Sequence, residues 1–94
     1  MNIKDLRPRM EVDSIELEIV SVNEVKQFTN ERGSGKVQNA AGKDKSGEVQ
    51  LTFWNDDAGK YNEGDNIKIE NGWVSEFRGN LQLGAGRNGK ITKL

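Results

Sequence analysis

Apolar and polar residues alternate along most of this chain. Across residues 14–22 the order SIELEIVSV places Ile15, Leu17 and Ile19 on one face of an extended strand, and the phase then changes so that Val20 and Val22 carry the apolar role. A phase change inside one strand predicts a bulge and a bend. Ahead of it, LRPRM at 6–10 holds the only proline, which disfavours helix in the residue before it and marks an irregular lead-in. Residues 25–29 continue the sheet, residues 30–35 (NERGSG) are expected as a flexible loop, and residues 36–41 as a weaker second strand. KDKSG at 43–47 is a turn. Residues 48–54 form the cleanest strand, with Val49, Leu51 and Phe53 on one face and Gln50, Thr52 and Trp54 on the other. That parity leaves Trp54 outside the core.

Asn55 is a favoured N-cap, and Asp56 and Asp57 suit the positive end of a helix dipole, so a short helix is predicted over residues 56–61 and ended by Gly64. A strand follows at 65–70 with Ile67 and Ile69 inward. After Asn71-Gly72 the chain resumes as WVSEF, turns at Arg78-Gly79-Asn80 and returns as LQL, with a last short strand through 90–94. The order is long bent strand, strand, strand, short helix, strand, strand. It predicts an all-β fold: a five-stranded Greek-key OB-fold barrel with a short helix between strands 3 and 4. Closure removes the exposed edges that a flat sheet of this size would carry. Residues 1–94 contain no internal repeat or linker and read as a single OB-fold domain.

Trp73 and Phe77 have two registers open to them. Counted straight on from Ile67 and Ile69, positions 71, 73, 75 and 77 face inward and both rings join the core. A bulge at Asn71-Gly72 reverses this, sending Val74 inward and Trp73, Ser75 and Phe77 outward beside Trp54. The bulged register is preferred, because Asn71 and Ser75 make poor core residues and Val74 a poor exposed one. Three large aromatics then share one face, and a contiguous exposed apolar patch marks a binding surface. Unpaired bases offer flat faces of matching size, and stacking on an aromatic contributes about 1–3 kcal/mol per base whatever the sequence.

Composition narrows the chemistry. The 94 residues include no cysteine and no histidine, which excludes disulfides, thiol nucleophiles, imidazole bases and the common zinc sites. Asp56 and Asp57 are paired carboxylates, but they stand beside the predicted cap without a nucleophile, so neither catalysis, metal nor cofactor is expected. The glycine-rich GAGRNG at 84–89 has no long helix after it to present a phosphate-binding N-terminus and reads as a flexible turn. No apolar run approaches the roughly 20 residues of a membrane span, and the start lacks a signal-peptide core, so a cytoplasmic protein with no membrane partner is expected. Net charge is −1, from 14 basic and 15 acidic residues, which by itself argues against phosphate binding. The distribution argues the other way. Lys26, Arg32, Lys36, Lys43 and Lys45 face only Glu31 and Asp44 across 25–47, and Arg78, Arg87, Lys90 and Lys93 meet no acid across 77–94. In an OB-fold the loops flanking the binding face fall in these segments.

The stretch LTFWNDDAGKYNEGDNIKIENGWVSEFRGNLQLGAGRNGKI and, more loosely, IKDLRPRM with the strand after it resemble a known family: the archaeal single-stranded DNA-binding proteins with one OB-fold, their human-type counterparts and the OB-folds of replication protein A. The pattern is a strand ending in Trp, Gly-Asp before a strand, an aromatic, Phe-Arg-Gly, Leu-x-Leu and a glycine-rich basic end. The resemblance implies that Trp54, Trp73 and Phe77 are base-stacking positions and that Lys26, Phe28, Arg78 and Arg87 lie at or near the DNA path. It implies single-stranded DNA as partner, with other OB domains of a multi-domain replication protein as further partners, in replication, repair or recombination. Gly84 departs from relatives that carry another aromatic there, and the flexible partner-recruiting tail of family members does not appear by Leu94. Two rival readings remain open: an aromatic face that docks a protein, which the acidic balance fits, and single-stranded RNA, since stacking does not distinguish the sugar.

Overall fold

The computed structural model describes residues 2–31 and 33–94, the side chain of Arg87 excepted. Six strands form: β1 (Met10–Val22), β2 (Lys26–Asn30), β3 (Gly33–Asp44), β4 (Gly47–Trp54), β5 (Asn66–Phe77) and β6 (Asn80–Lys93). They pair in the order β1-β5-β6-β4-β3-β2, and β1 also pairs with β3. Strands β1, β5, β6, β4 and β3 therefore close a five-stranded barrel, while β2 folds back on β3 as an arm. Among the described residues no helix is long and apolar enough to cross a membrane.

Closure depends on the bend in β1. Residues 10–18 pair with β5 and residues 18–22 with β3, and the second register slips between Ile19 and Ser21. Val20 is the extra residue, at the predicted phase change. The alternating aliphatics meet inside: Ile15, Leu17 and Ile19 of β1, Val49, Leu51 and Phe53 of β4, Ile67 and Ile69 of β5, and Leu83 and Ile91 of β6 are all buried. Each such side chain contributes about 1.5–3 kcal/mol relative to leaving it in water.

Strand β5 takes the bulged register. Its pairing with β6 slips between Glu70 and Gly72, Asn71 adopts a left-handed φ of 52°, and Val74 is wholly buried. Opposite the bulge, Gly72 pairs with Ala85 and Glu70 with Lys90, so residues 86–89 loop out within a continuous strand. Glycine is required in this loop: a Cβ on Gly89 would lie 2.5 Å from the Gly86 nitrogen. The glycine-rich segment is thus a wide bulge rather than a flexible turn, and 90–94 continues β6 instead of starting a new strand.

Two further expectations are corrected. The predicted helix at 56–61 is absent; a single 3-10 turn at Asn55–Asp57 replaces it. Asn55 takes φ 52° instead of capping, Gly59 takes φ 81°, and Tyr61 drops into the core, where its hydroxyl donates to the Ile91 carbonyl at 3.1 Å. So short a segment gains little from helix formation, and the buried tyrosine dictates its path. The expected loop at 30–35 is mostly strand, since β2 and β3 pair from Lys26↔Val37 to Asn30↔Gly33. Backbone pairing outweighs the local preference of Asn30, Gly33, Ser34 and Gly35. Arg32 lies outside the described residues.

The far end of the barrel is closed by the lead-in. Ile3 and Leu6 are buried there, the Ile3 N–H donates to Asp44 Oδ2 at 2.8 Å, and the Lys4 N–H donates to Ser46 Oγ at 3.0 Å.

Candidate nucleic-acid interface

The outward face of the sheet follows from register. Val37 pairs with Lys26 on one side and Trp54 on the other, so these three side chains share a row. Directly paired residues project to the same face of a sheet. Two residues along β2, Phe28 lies on that face opposite Gly35 and meets Trp54 edge to face, with ring centroids 6.0 Å apart. Gly35 makes the contact possible, because a Cβ there would come within 2.6 Å of both Phe28 Cζ and Asn55 Oδ1. Asn55 in turn accepts the Lys36 N–H at 3.2 Å, joining the arm to the turn after Trp54.

Strand β5 supplies the second group. Trp73 pairs with Gly84 and Phe77 with Asn80, all outward. Trp54, Trp73 and Phe77 are 51%, 42% and 59% exposed, so the three rings predicted to face solvent do so. Arg78 and Gly79 form a two-residue hairpin turn with φ 52° and 83°, and the Arg78 guanidinium lies 5.2 Å from the Phe77 ring centroid. That distance is within cation–π range.

Strand β6 lies between the groups. The parallel pairing Gln50↔Gln82, continued by two residues, sets Gly84 beside Thr52, and a Cβ on Gly84 would come within 3.0 Å of the Thr52 carbonyl oxygen. The floor between Trp54 and Trp73 is therefore low and lined by small or polar residues, about two strand spacings or ~10 Å across. It can seat planar groups on either side.

The cations divide. Lys26 is exposed in the row of Trp54, Lys36 is exposed but pairs with Gln27 on the other face of the arm, and Arg78 stands beside Phe77. Lys43 lies seven residues along β3 from Lys36, about 23 Å away at strand rise, and approaches Glu18 at 4.0 Å. The basic segment at 25–47 thus serves two ends of the barrel, and of its described cations Lys26 is the one in the row of the rings. Arg87 falls in the β6 bulge, and its side chain lies outside the described residues. On the opposite margin Glu11 pairs with Trp73, placing a carboxylate where a phosphate would be repelled. Near Trp54, burial holds the Asp57 carboxyl above the usual aspartate range, with Asp56 adding to the effect and Lys60 opposing it. Sequence reasoning singled out the rings, Lys26 and Arg78; it missed Gly35 and Asn55, whose roles need the arm to be folded against the barrel.

A closed barrel of this strand order, presenting aromatics on the sheet between an arm and a hairpin, defines an OB-fold binding barrel. Residues 11–87 match the model of the OB-fold nucleic acid binding domain, and the chain belongs to that family. It is 34% identical over 91 residues to the single-stranded DNA binding protein Ssb of Saccharolobus solfataricus, covering 97% of this chain and 62% of that protein. It is 30% identical to replication factor A of Methanothermobacter thermautotrophicus, covering 87% of this chain and 11% of that protein. The chain therefore spans about three fifths of the one relative and about a tenth of the other. Its fold matches the second OB-fold domain of replication protein A from Methanococcus maripaludis with a TM-score of 0.83 at 24% identity, over all of this chain and 93% of that one.

Proposed function

We propose that this chain binds single-stranded DNA, largely without regard to sequence, through bases stacked on Trp54, Trp73 and Phe77. Lys26, Phe28, Arg78 and Arg87 line the strand's path, and residues 1–94 act as one binding domain without catalysis, inside the cell. The observation that carries the reading is three large aromatic side chains, each about half exposed or more, aligned on one sheet face between exposed cations. Stacking supplies about 1–3 kcal/mol per base without a sequence requirement, so few phosphate contacts are needed and a net charge of −1 is no obstacle. The names of the relatives, a single-stranded DNA binding protein and a replication factor A, support the same reading, and make other OB domains of a replication protein natural partners.

Tryptophan fluorescence titrated with oligo-dT, duplex DNA and oligo-U at two salt concentrations tests it. Strong quenching by oligo-dT, little by duplex and a shallow salt slope are expected. Oligo-U binding as tight as oligo-dT would reassign the partner to RNA, and unchanged emission throughout would favour protein docking. Trp54→Ala and Trp73→Ala should each weaken oligo-dT binding by about 1–3 kcal/mol while the melt stays cooperative.

A further inference from the structure

Gln38 is, among the described residues, the one buried residue with an amide or charged side chain, at 5% exposure. It faces inward opposite Phe53, one residue beyond Val37, which is the last point where β3 is held by both β4 and β2. Before Val37, residues 33–36 of β3 pair with β2 alone and form the arm. The amide thus lies at the arm's root. Its Nε2 donates to the Asn23 carbonyl at 2.9 Å, and its Oε1 accepts the Gly59 N–H at 2.9 Å. Only this orientation of the amide offers a donor to the carbonyl and an acceptor to the N–H. Asn23 opens the connection into β2, which carries Lys26 and Phe28; Gly59 follows the turn after Trp54. The Asn23 N–H also donates to the Asn39 carbonyl at 2.9 Å.

We infer that Gln38 is a positioning residue for base stacking: it ties the two segments flanking Trp54 to one point and so sets the edge-to-face contact of Phe28 with Trp54. The inference rests on reading those rings as nucleobase platforms. An apolar side chain would be easier to bury at this position than an amide, which must exchange water for protein partners. What the amide adds is direction, since a fully satisfied polar group specifies one arrangement of the groups it bonds. Here those groups belong to two connections that no strand pairing holds.

Gln38→Met keeps length and approximate volume and removes both bonds. With the barrel intact, oligo-dT affinity is expected to fall about three- to tenfold, the range set by one ordinary hydrogen bond, and nuclear Overhauser contacts between the Phe28 and Trp54 rings should weaken even without DNA. In a Phe28→Ala background the same substitution should change affinity less than about twofold, because the ring being positioned is gone. Wild-type affinity in Gln38→Met, or an undiminished loss in Phe28→Ala, overturns the inference. Should the methionine variant lose its cooperative melt, Gln38→Glu, assayed at a pH where its carboxyl is ionised so that it keeps the Gly59 bond and loses donation to Asn23, is held to the same criteria. If the unaltered protein fails to bind oligo-dT, the nucleic-acid reading falls instead, and the ring-to-ring contacts still test the hold of Gln38 on the arm.

Discussion

Replacing Gly35 by alanine sets two opposed effects of known size against each other. Gly35 lies in extended backbone outside the left-handed region, so alanine fits the chain locally and gains about 0.4–1 kcal/mol from a less flexible unfolded state. The new methyl, however, would stand 2.6 Å from Phe28 Cζ and 2.6 Å from Asn55 Oδ1. Carbon contacts settle near 3.5–4.0 Å, so each neighbour must retreat by about 1 Å. For Asn55 that breaks the 3.2 Å bond from the Lys36 N–H, a loss of about 0.5–1.5 kcal/mol. For Phe28 it disturbs the 6.0 Å edge-to-face pair with Trp54, a further loss of about 0.5–1.5 kcal/mol. The losses exceed the gain, leaving a net destabilisation of about 1 kcal/mol, or a melting midpoint lower by about 4–8 °C for a domain of this size. Oligo-dT affinity should fall severalfold alongside. Thermal melts followed by circular dichroism, in the natural chain and in Phe28→Ala, provide the assay. Without the Phe28 ring the penalty should shrink towards zero. A midpoint several degrees above the natural protein would refute the reasoning, since it would mean that the arm yields freely and only the unfolded-state gain remains.

Arg78→Asn isolates a charge from a turn. Asparagine tolerates the left-handed backbone at the first position of this hairpin, so stability should change by less than about 0.5 kcal/mol, while the slope of log affinity against log salt should shrink by about 0.7, one phosphate contact on a single strand; an unaltered slope would remove Arg78 from the DNA path. Asp44→Asn tests the closure of the barrel's far end by pH. Partial burial pushes the Asp44 carboxyl up, but hydrogen bonds from the Ser46 hydroxyl and from the N–H groups of Ile3, Ser46 and Gly47 together hold it below the usual aspartate value. A carboxyl lowered in the folded state stabilises fully above its unfolded value, about pH 4, and loses that contribution as pH falls through its lower folded value. The stability gap between the natural protein and the variant should therefore be widest near neutrality and narrow below about pH 4; a gap constant down to pH 2 would sink the assignment.

Much of the barrel was legible because side chains alternate with period two and a buried face admits few polar residues. Val49, Leu51 and Phe53 against Gln50, Thr52 and Trp54 need no tertiary information, and the phase change at Val20 announced the bend on which closure depends. The orientation of Trp73 and Phe77 was narrowed to two registers, with the bulged one preferred because Val74 belonged inside. The helix at 56–61 was misjudged for a physical reason: capping residues and a favourable dipole are weak terms, and the pull of Tyr61 into the core outweighs them. The loop at 30–35 was misjudged likewise, since polar and glycine-rich residues accept extended geometry once a partner strand completes their hydrogen bonds.

The chain's own pattern determined which alternating aliphatics lie inside the barrel and that Trp54 faces out, because period-two alternation assigns each side chain a face relative to its neighbours in sequence. Only the tertiary structure decided how the arm stands against the barrel, that Lys43 and Lys45 serve the opposite end from Lys26 and Lys36, and that Gly35, Gln38 and Asn55 hold Phe28 beside Trp54. Those arrangements arise from contacts between residues 15 to 21 positions apart. No local periodicity encodes such a separation, and it is set only when the closed sheet brings the two connections together.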